Sequence, residues 1–237
     1  MNDQMTLDDR IEIEGRDGTF GAYIARPETL PAPAVVVLQE VFGVNADIRQ
    51  HCDELSEQGF LAVAPDLFWR LEPGVDLSVN SQQDWEHGVR LYQAFDRDAG
   101  VGDVEDTVKA VAKLADCNGK IALLGYCLGG LMAFLTAERA NIDAAVAFHG
   151  GETEKYLGDV DGLKAPLLMH LAEEDEFMSK AAQAEIKSAL ADKPNVTIYI
   201  YPGQSHAFSR HNGAHYNAEA AALANRRTSE FLKQQIA

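Results

Sequence analysis

The run Ala34–Gln39, AVVVLQ, limits the fold more than any other segment of the chain. It is almost wholly apolar and rich in β-branched residues, with no polar stripe at a helical spacing. Such a run suits a strand covered on both faces, as in a parallel sheet. Related runs recur at Phe60–Ala64, Lys120–Leu124, Ala144–Phe148, Pro166–Leu171 and Val196–Ile200. Helical patterns fall between them, at about Asp47–Gln58, Asp84–Phe95, Gly102–Ala115, Leu128–Ala140, Lys180–Leu190 and Ala218–Gln235. Strands alternating with helices need crossover connections, so the sheet is expected to be mostly parallel, with helices on both faces. Ile11–Glu14 and Phe20–Ala25, set around Gly15 and Asp17-Gly18, add an opening hairpin. The expectation is one α/β domain over residues 1–237 with about eight strands, because no repeat, low-complexity tract or linker divides the chain. Residues 65–80, with Pro65, Pro73 and Gly74, show no period and read as a long loop. A loop of that length inside a compact domain is usually functional.

Composition narrows the partners. At 237 residues, 46% hydrophobic and 24% charged, the chain is long and apolar enough to bury a core unaided. Its net charge of −17 argues against nucleic acid or an anionic membrane as partner, since the summed field repels phosphates. No apolar run approaches the ~18 residues needed to span a bilayer. The first residues, MNDQMTLDDR, lack the basic and apolar regions of an export signal. Three cysteines (Cys52, Cys117 and Cys127) in no C-x-x-C spacing suggest neither a disulfide framework nor a thiolate metal site. A reducing cytoplasm fits that usage, for a monomer or small homo-oligomer with no cofactor.

In such sheets the ligand site lies beyond the carboxyl ends of the strands. There, strand Lys120–Leu124 runs through Gly125-Tyr126-Cys127-Leu128-Gly129-Gly130 straight into a helical pattern. A nucleophile on a sharp strand-to-helix turn needs small residues on either side for the turn to close, the G-x-nucleophile-x-G pattern. At a helix N-terminus, Cys127 would also feel a dipole favouring thiolate. Cys52 and Cys117, placed within or near the end of a helix, read instead as ordinary packed cysteines.

Such an elbow predicts an acid and then a histidine further along the chain. His206, in Pro202-Gly203-Gln204-Ser205-His206, follows the last strand and is the candidate base. His170 lies inside a strand and reads as packed, whereas His149 ends a strand on the site's side and reads as a pocket wall. His211 and His215 are separated by Asn212 and Gly213, and no carboxylate completes a zinc motif, so no metal is expected. The orienting acid falls in Glu173-Glu174-Asp175-Glu176, where a short side chain favours Asp175 but spacing alone does not separate it from Glu174.

With those residues in place, the sequence resembles the dienelactone hydrolase (carboxymethylenebutenolidase) family, a cysteine branch of the α/β-hydrolase fold. The likeness runs over nearly the whole chain, through Gln39-Glu40-Val41-Phe42-Gly43-Val44-Asn45, Ala64-Pro65-Asp66-Leu67, Gln93-Ala94-Phe95-Asp96, Gly125–Gly130, His206-Ala207-Phe208-Ser209-Arg210 and Ala221–Asn225. The resemblance implies a triad of Cys127, His206 and Asp175 acting on a small enol-lactone or ester through an acyl-thioester. It implies that Glu40 pairs with Arg210 at rest and is released toward the thiol when substrate binds. That would help ionise a group whose free pKa is ~8.5. A plain structural ion pair is the competing reading of Glu40 and Arg210. The resemblance also implies an oxyanion hole from the backbone N–H groups of Leu128 and Val41, with Arg210, Phe42, His149 and residue 85 as pocket residues.

At residue 85 the pattern breaks. Family members acting on dienelactone carry a second arginine there to clamp the substrate carboxylate, and this chain has Trp85. Arg90 or His87 on the same helical stretch are possible substitutes. An indole offers a flat apolar wall and no bidentate fork. A neutral or bulkier ester or lactone is therefore the rival substrate, and a non-catalytic small-molecule binder is the rival from another class.

Overall fold

The structure is a computed structural model describing residues 9–237, so most of the N-terminal segment weighed above for an export signal lies outside the described residues. The chain forms two compact units, Met1–Ile121 and Ala122–Ala237.

In the first unit, β1 (Arg10–Gly15) and β2 (Gly18–Ala25) form the expected hairpin, antiparallel, with Gly15 opposite Gly18. β2 also pairs antiparallel with β4 (Leu61–Pro65), and β4 pairs parallel with β3 (Ala32–Leu38), giving the order β1-β2-β4-β3. Ala34 to Leu38 are fully buried, as their composition demands. Three helices are each started by a side-chain cap on free N–H groups. Asn45 caps α1 (Ala46–Glu57), Ser81 caps α2 (Gln82–Ala94) and Asp96 caps α3 (Arg97–Val111).

The long loop after β4 is built rather than loose. Asp66 accepts from the backbone N–H groups of Phe68 (3.0 Å) and Gly74 (2.7 Å), while Arg49 pairs with Asp76 at 2.9 Å. Gly43 sits at φ +77, and a Cβ there would stand 2.0 Å from the Val75 carbonyl oxygen. Only glycine lets the segment after β3 lie against this loop.

The second unit takes in the last part of β5 (Cys117–Tyr126) and then β6 (Ala144–Phe148), β7 (Leu167–Ala172) and β8 (Val196–Tyr201), all parallel in the order β5-β6-β7-β8. Its helices are α4 (Leu128–Arg139), α5 (Lys180–Ala189) and α6 (Ala218–Ile236). Each unit thus contributes four strands to a mostly parallel eight-stranded architecture with helices.

Two local expectations change, and one element had no expectation to match. α3 begins at Arg97 rather than Gly102, because the Asp96 carboxylate accepts from the N–H groups of Asp98 and Ala99 and starts the helix a turn earlier. Cys117, read as lying near the end of a helix, opens β5. A 3-10 helix over Thr153–Gly162, kinked at Tyr156, occupies a stretch with no apolar period. Among the described residues no helix is long and apolar enough to cross a membrane.

Candidate active site

Cys127 stands between β5 and α4 at φ 53, ψ −112, a conformation that costs a residue with a Cβ and persists only where its surroundings enforce it. They do. A Cβ on Gly125 would fall 1.9 Å from the Gly129 carbonyl oxygen, and one on Gly130 would fall 2.4 Å from that of Phe148. The Cys127 N–H donates to Phe148 O at 3.1 Å and its carbonyl accepts from Leu131 N at 3.1 Å. Although Cys127 occupies the helix-capping position, its side chain makes no capping hydrogen bond. The partly exposed sulfur stays available for chemistry.

The acidic turn after β7 gives each carboxylate its own task. Asp175 is buried, and its oxygens lie 2.9 and 3.0 Å from His206 Nδ1. Oδ1 also accepts from the N–H groups of Phe177 (2.8 Å) and Met178 (3.2 Å), which fixes its plane. Glu174 is exposed and pairs with Lys180 at 2.7 Å, so of the two carboxylates Asp175 is the one in contact with the His206 ring. Glu173 accepts from Gly203 N at 2.9 Å, and Glu176 accepts from His206 N at 3.1 Å. The first of these bonds anchors the loop that carries His206, and the second holds the residue itself. His215 adds to them through Nδ1, 3.1 Å from the His206 carbonyl.

The imidazole of His206 is buried, with Nδ1 against Asp175 and Nε2 without a hydrogen-bond partner of good geometry among the described residues. A ring nitrogen of His206 and the sulfur of Cys127 lie within 4.8 Å. Burial alone would disfavour the ring's cation. The adjacent sulfur and the Asp175 carboxylate outweigh it and push the His206 pKa up to about 10. Opposing pKa shifts on neighbouring groups mark acid–base sites. The neighbour here is His149, whose ring centroid lies 4.5 Å from that of His206 and whose pKa is driven well below the usual value. The causes are burial first, then the charges of His206 and Arg210.

Phe177 was given no role from sequence, yet it sits edge-on to the His206 ring at 4.8 Å while 54% exposed. Its only sequence signal is an aromatic residue closing an acidic turn. His170 is packed within its strand, with Nδ1 on Tyr201 Oη (2.7 Å) and Nε2 on Thr228 Oγ1 (3.0 Å). Arg210 follows in the same loop as His206, partly exposed, with its N–H on Ala207 O. Leu128, whose N–H was expected to serve an oxyanion, is the first residue of α4.

In the first unit, Glu40 is buried just past β3 and bridges to Gly43. Val41 lies close under α2, where a Cβ on Gly88 would meet its carbonyl at 2.4 Å. Phe42 is buried and its ring centroid is 5.9 Å from that of Trp85 on α2. Of the expected substitutes for an arginine at 85, His87 is paired with Glu72 at 2.9 Å, and Arg90 is exposed.

The chain matches the sequence profile described as the dienelactone hydrolase family over residues 20–236. A carboxymethylenebutenolidase of Pseudomonas putida is 40% identical over 227 residues, covering 95% of this chain and 96% of that one. Carboxymethylenebutenolidase 1 of Cupriavidus pinatubonensis is 34% identical over 227 residues, covering 95% and 97%. Among solved structures, a protein from Klebsiella pneumoniae assigned as a dienelactone hydrolase superposes with a TM-score of 0.82 at 26% identity, covering 95% of this chain and 98% of that one. A dienelactone hydrolase-like promiscuous phosphotriesterase from metagenomic libraries superposes with a TM-score of 0.81 at 21% identity, covering 96% and 98%, a likeness of fold alone.

Proposed function

Since the chain belongs to the dienelactone hydrolase family and is a hydrolase of lactone or ester bonds, we propose that it cleaves a small enol-lactone or ester with Cys127 as nucleophile, His206 as base and Asp175 as the group that orients the histidine. One observation carries this reading: a buried Asp175–His206 pair whose imidazole lies within 4.8 Å of a thiol held on a strained strand-to-helix turn.

The chemistry follows from charge. Asp175 on Nδ1 fixes the tautomer that leaves Nε2 as the proton acceptor, and it stabilises the imidazolium once formed. The sulfur attacks the carbonyl carbon, and the leaving oxygen takes its proton from His206. In a lactone that oxygen stays tethered as an enol. The resulting acyl-thioester is hydrolysed by water that gives its proton to the same ring. The backbone N–H of Leu128, at the start of a helix, serves the developing oxyanion. Val41 as second oxyanion donor, Glu40 as promoter of thiol ionisation, and Arg210 and Phe42 as substrate contacts keep the roles that the family resemblance implies, as parts of the same proposal, while His149 stays a wall beside the His206 ring.

The test is turnover of dienelactone and of aryl esters by wild type and Cys127→Ala, together with a search by mass spectrometry for an acyl adduct on residue 127. Loss of turnover in the mutant and an adduct in the wild type are expected. Undiminished turnover by Cys127→Ala would remove the assignment.

A second reading concerns the substrate. Trp85 and Phe42 form an aromatic pair on the first unit, at the position where the family resemblance implies a carboxylate-clamping arginine. That pair favours a neutral or bulkier ester or lactone over one bearing a free carboxylate.

A further inference from the structure

His149 follows β6 directly and is 1% exposed, with both ring nitrogens buried and without a hydrogen-bond partner. A buried imidazole with neither nitrogen satisfied forfeits the hydrogen bonds that other buried polar groups make. Packing does not require a histidine here. Tyr126, Phe148 and Phe208 surround the ring with centroids 6.1–6.5 Å away, and an aromatic hydrocarbon would fit that company better. The backbone takes an uncommon conformation as well, at φ 36, in the left-handed region where Asn, Asp and His are the side chains most often found.

The place of the ring explains both features. The carbonyl of the preceding residue, Phe148, receives the Cys127 N–H at 3.1 Å, and the His149 N–H donates to His170 O at 2.8 Å. The left-handed turn at 149 swings the side chain to the His206 ring, 4.5 Å between centroids and 58° between planes. His206 Nε2 likewise has no hydrogen-bond partner of good geometry among the described residues. A single water lodged between the two unpartnered nitrogens would bridge about 5–6 Å, two hydrogen bonds of ordinary length.

We propose that His149 holds the hydrolytic water of the second half-reaction, accepting one O–H while His206 Nε2 takes the proton of the other. The inference rests on the assignment of Cys127 and His206 made above. In the step, the water oxygen bonds to the thioester carbonyl carbon and its proton passes to His206. The carbon–sulfur bond then breaks with the electron pair on sulfur, and His206 returns the proton to it. The second proton, the one held by His149, leaves with the carboxylic acid. Accepting that proton requires a neutral imidazole, and burial together with the charges of His206 and Arg210 keeps the ring unprotonated. Acylation uses no water, so His149 is not needed in the first half-reaction.

Rapid mixing of the enzyme with 4-nitrophenyl acetate separates the two halves. His149→Phe should keep the burst of nitrophenolate close to the wild-type rate and slow the steady phase about tenfold or more, with the acetyl adduct trapped on Cys127 by acid quench. His149→Gly, which suits the positive φ and also removes the ring, should give the same split and replaces the phenylalanine variant if that one does not fold. Equal slowing of both phases, or no slowing of either, would overturn the inference. A Cys127→Ala enzyme that still turned over would overturn the underlying assignment instead. If Cys127→Ala is dead and His149→Phe is unchanged, only the inference fails.

Discussion

Asp175 Oδ2 stands 2.9 Å from His206 Nδ1, with both side chains at least 95% buried. A carboxylate so placed has two effects: it dictates which ring nitrogen carries the proton, and it supplies the charge that makes imidazolium tolerable in a dry site. Asp175→Asn keeps the shape and loses both. Its kcat on an aryl ester is expected to fall by about 10²–10⁴ with KM little changed. Glu174→Gln should stay within about twofold, because an exposed pair such as that with Lys180 contributes little. Equal losses in the two variants would mean that the turn acts as a diffuse field and not through one contact.

The buried histidines give stability a pH dependence of opposite signs. His170 is held neutral, its pKa lowered to about 3, first by burial and then by Arg227. The unfolded chain binds that proton below pH ~6.5 and the folded chain does not, so stability falls as pH drops from about 6.5 toward 3. The loss from this residue alone is about 2–3 kcal/mol by pH 4.5. His206 has its pKa raised to about 10. Its contribution is full below pH ~6.5 and is lost as pH rises toward 10. Urea midpoints from pH 4.5 to 9.5 should show a His170→Gln variant flatter than wild type on the acid side only. A His206→Gln variant should be flatter on the alkaline side only. Parallel curves for all three proteins would contradict both assignments.

The elbow makes a steric prediction. The Gly125 Cβ position is 1.9 Å from a backbone oxygen, which no side-chain rotation relieves. Gly125→Ala should cost several kcal/mol, visible as loss of soluble protein or a lowered urea midpoint, and should abolish turnover. Gly21→Ala, where a Cβ meets nothing within 4 Å, is the matched control and should change stability little. A fully active Gly125→Ala enzyme would show that the turn is softer than its contacts indicate.

Most of the frame was legible in the sequence because its signals are local. The apolar runs found β3 and β6, Asp17-Gly18 found the hairpin, and the glycines beside Cys127 found the strand-to-helix turn. What was missed depends on contacts between distant residues or on capping. The early start of α3 rests on the Asp96 side chain accepting from the N–H groups of Asp98 and Ala99, a cap that apolar spacing does not reveal. The 3-10 helix at Thr153–Gly162 has no hydrophobic period to reveal it. The site divides the same way. Choosing Asp175 over Glu174 needed family likeness or coordinates, since one residue of spacing decides nothing in a turn of four acids. The contact between His149 and His206 depends on a left-handed turn at one residue and on a loop after β8, and no spacing rule predicts it.

Trp85 gives the test of the proposed preference for a neutral substrate. It lies on α2 in contact with Phe42, half-buried, and its indole offers dispersion and no paired donors. Trp85→Arg would replace a flat wall with a guanidinium fork. A bidentate contact to a carboxylate contributes about 1.5–3 kcal/mol. If the wild-type site is made for a neutral acyl group, the variant should gain about tenfold or more in kcat/KM on lactones bearing a carboxylate. It should also lose activity on bulky neutral esters, whose apolar wall has gone. A panel of matched lactones and esters, with and without a carboxylate, reads both changes at once. Should the wild type already prefer the carboxylate-bearing members and the substitution leave that preference unchanged, recognition of the anion rests elsewhere, and the neutral-substrate reading falls.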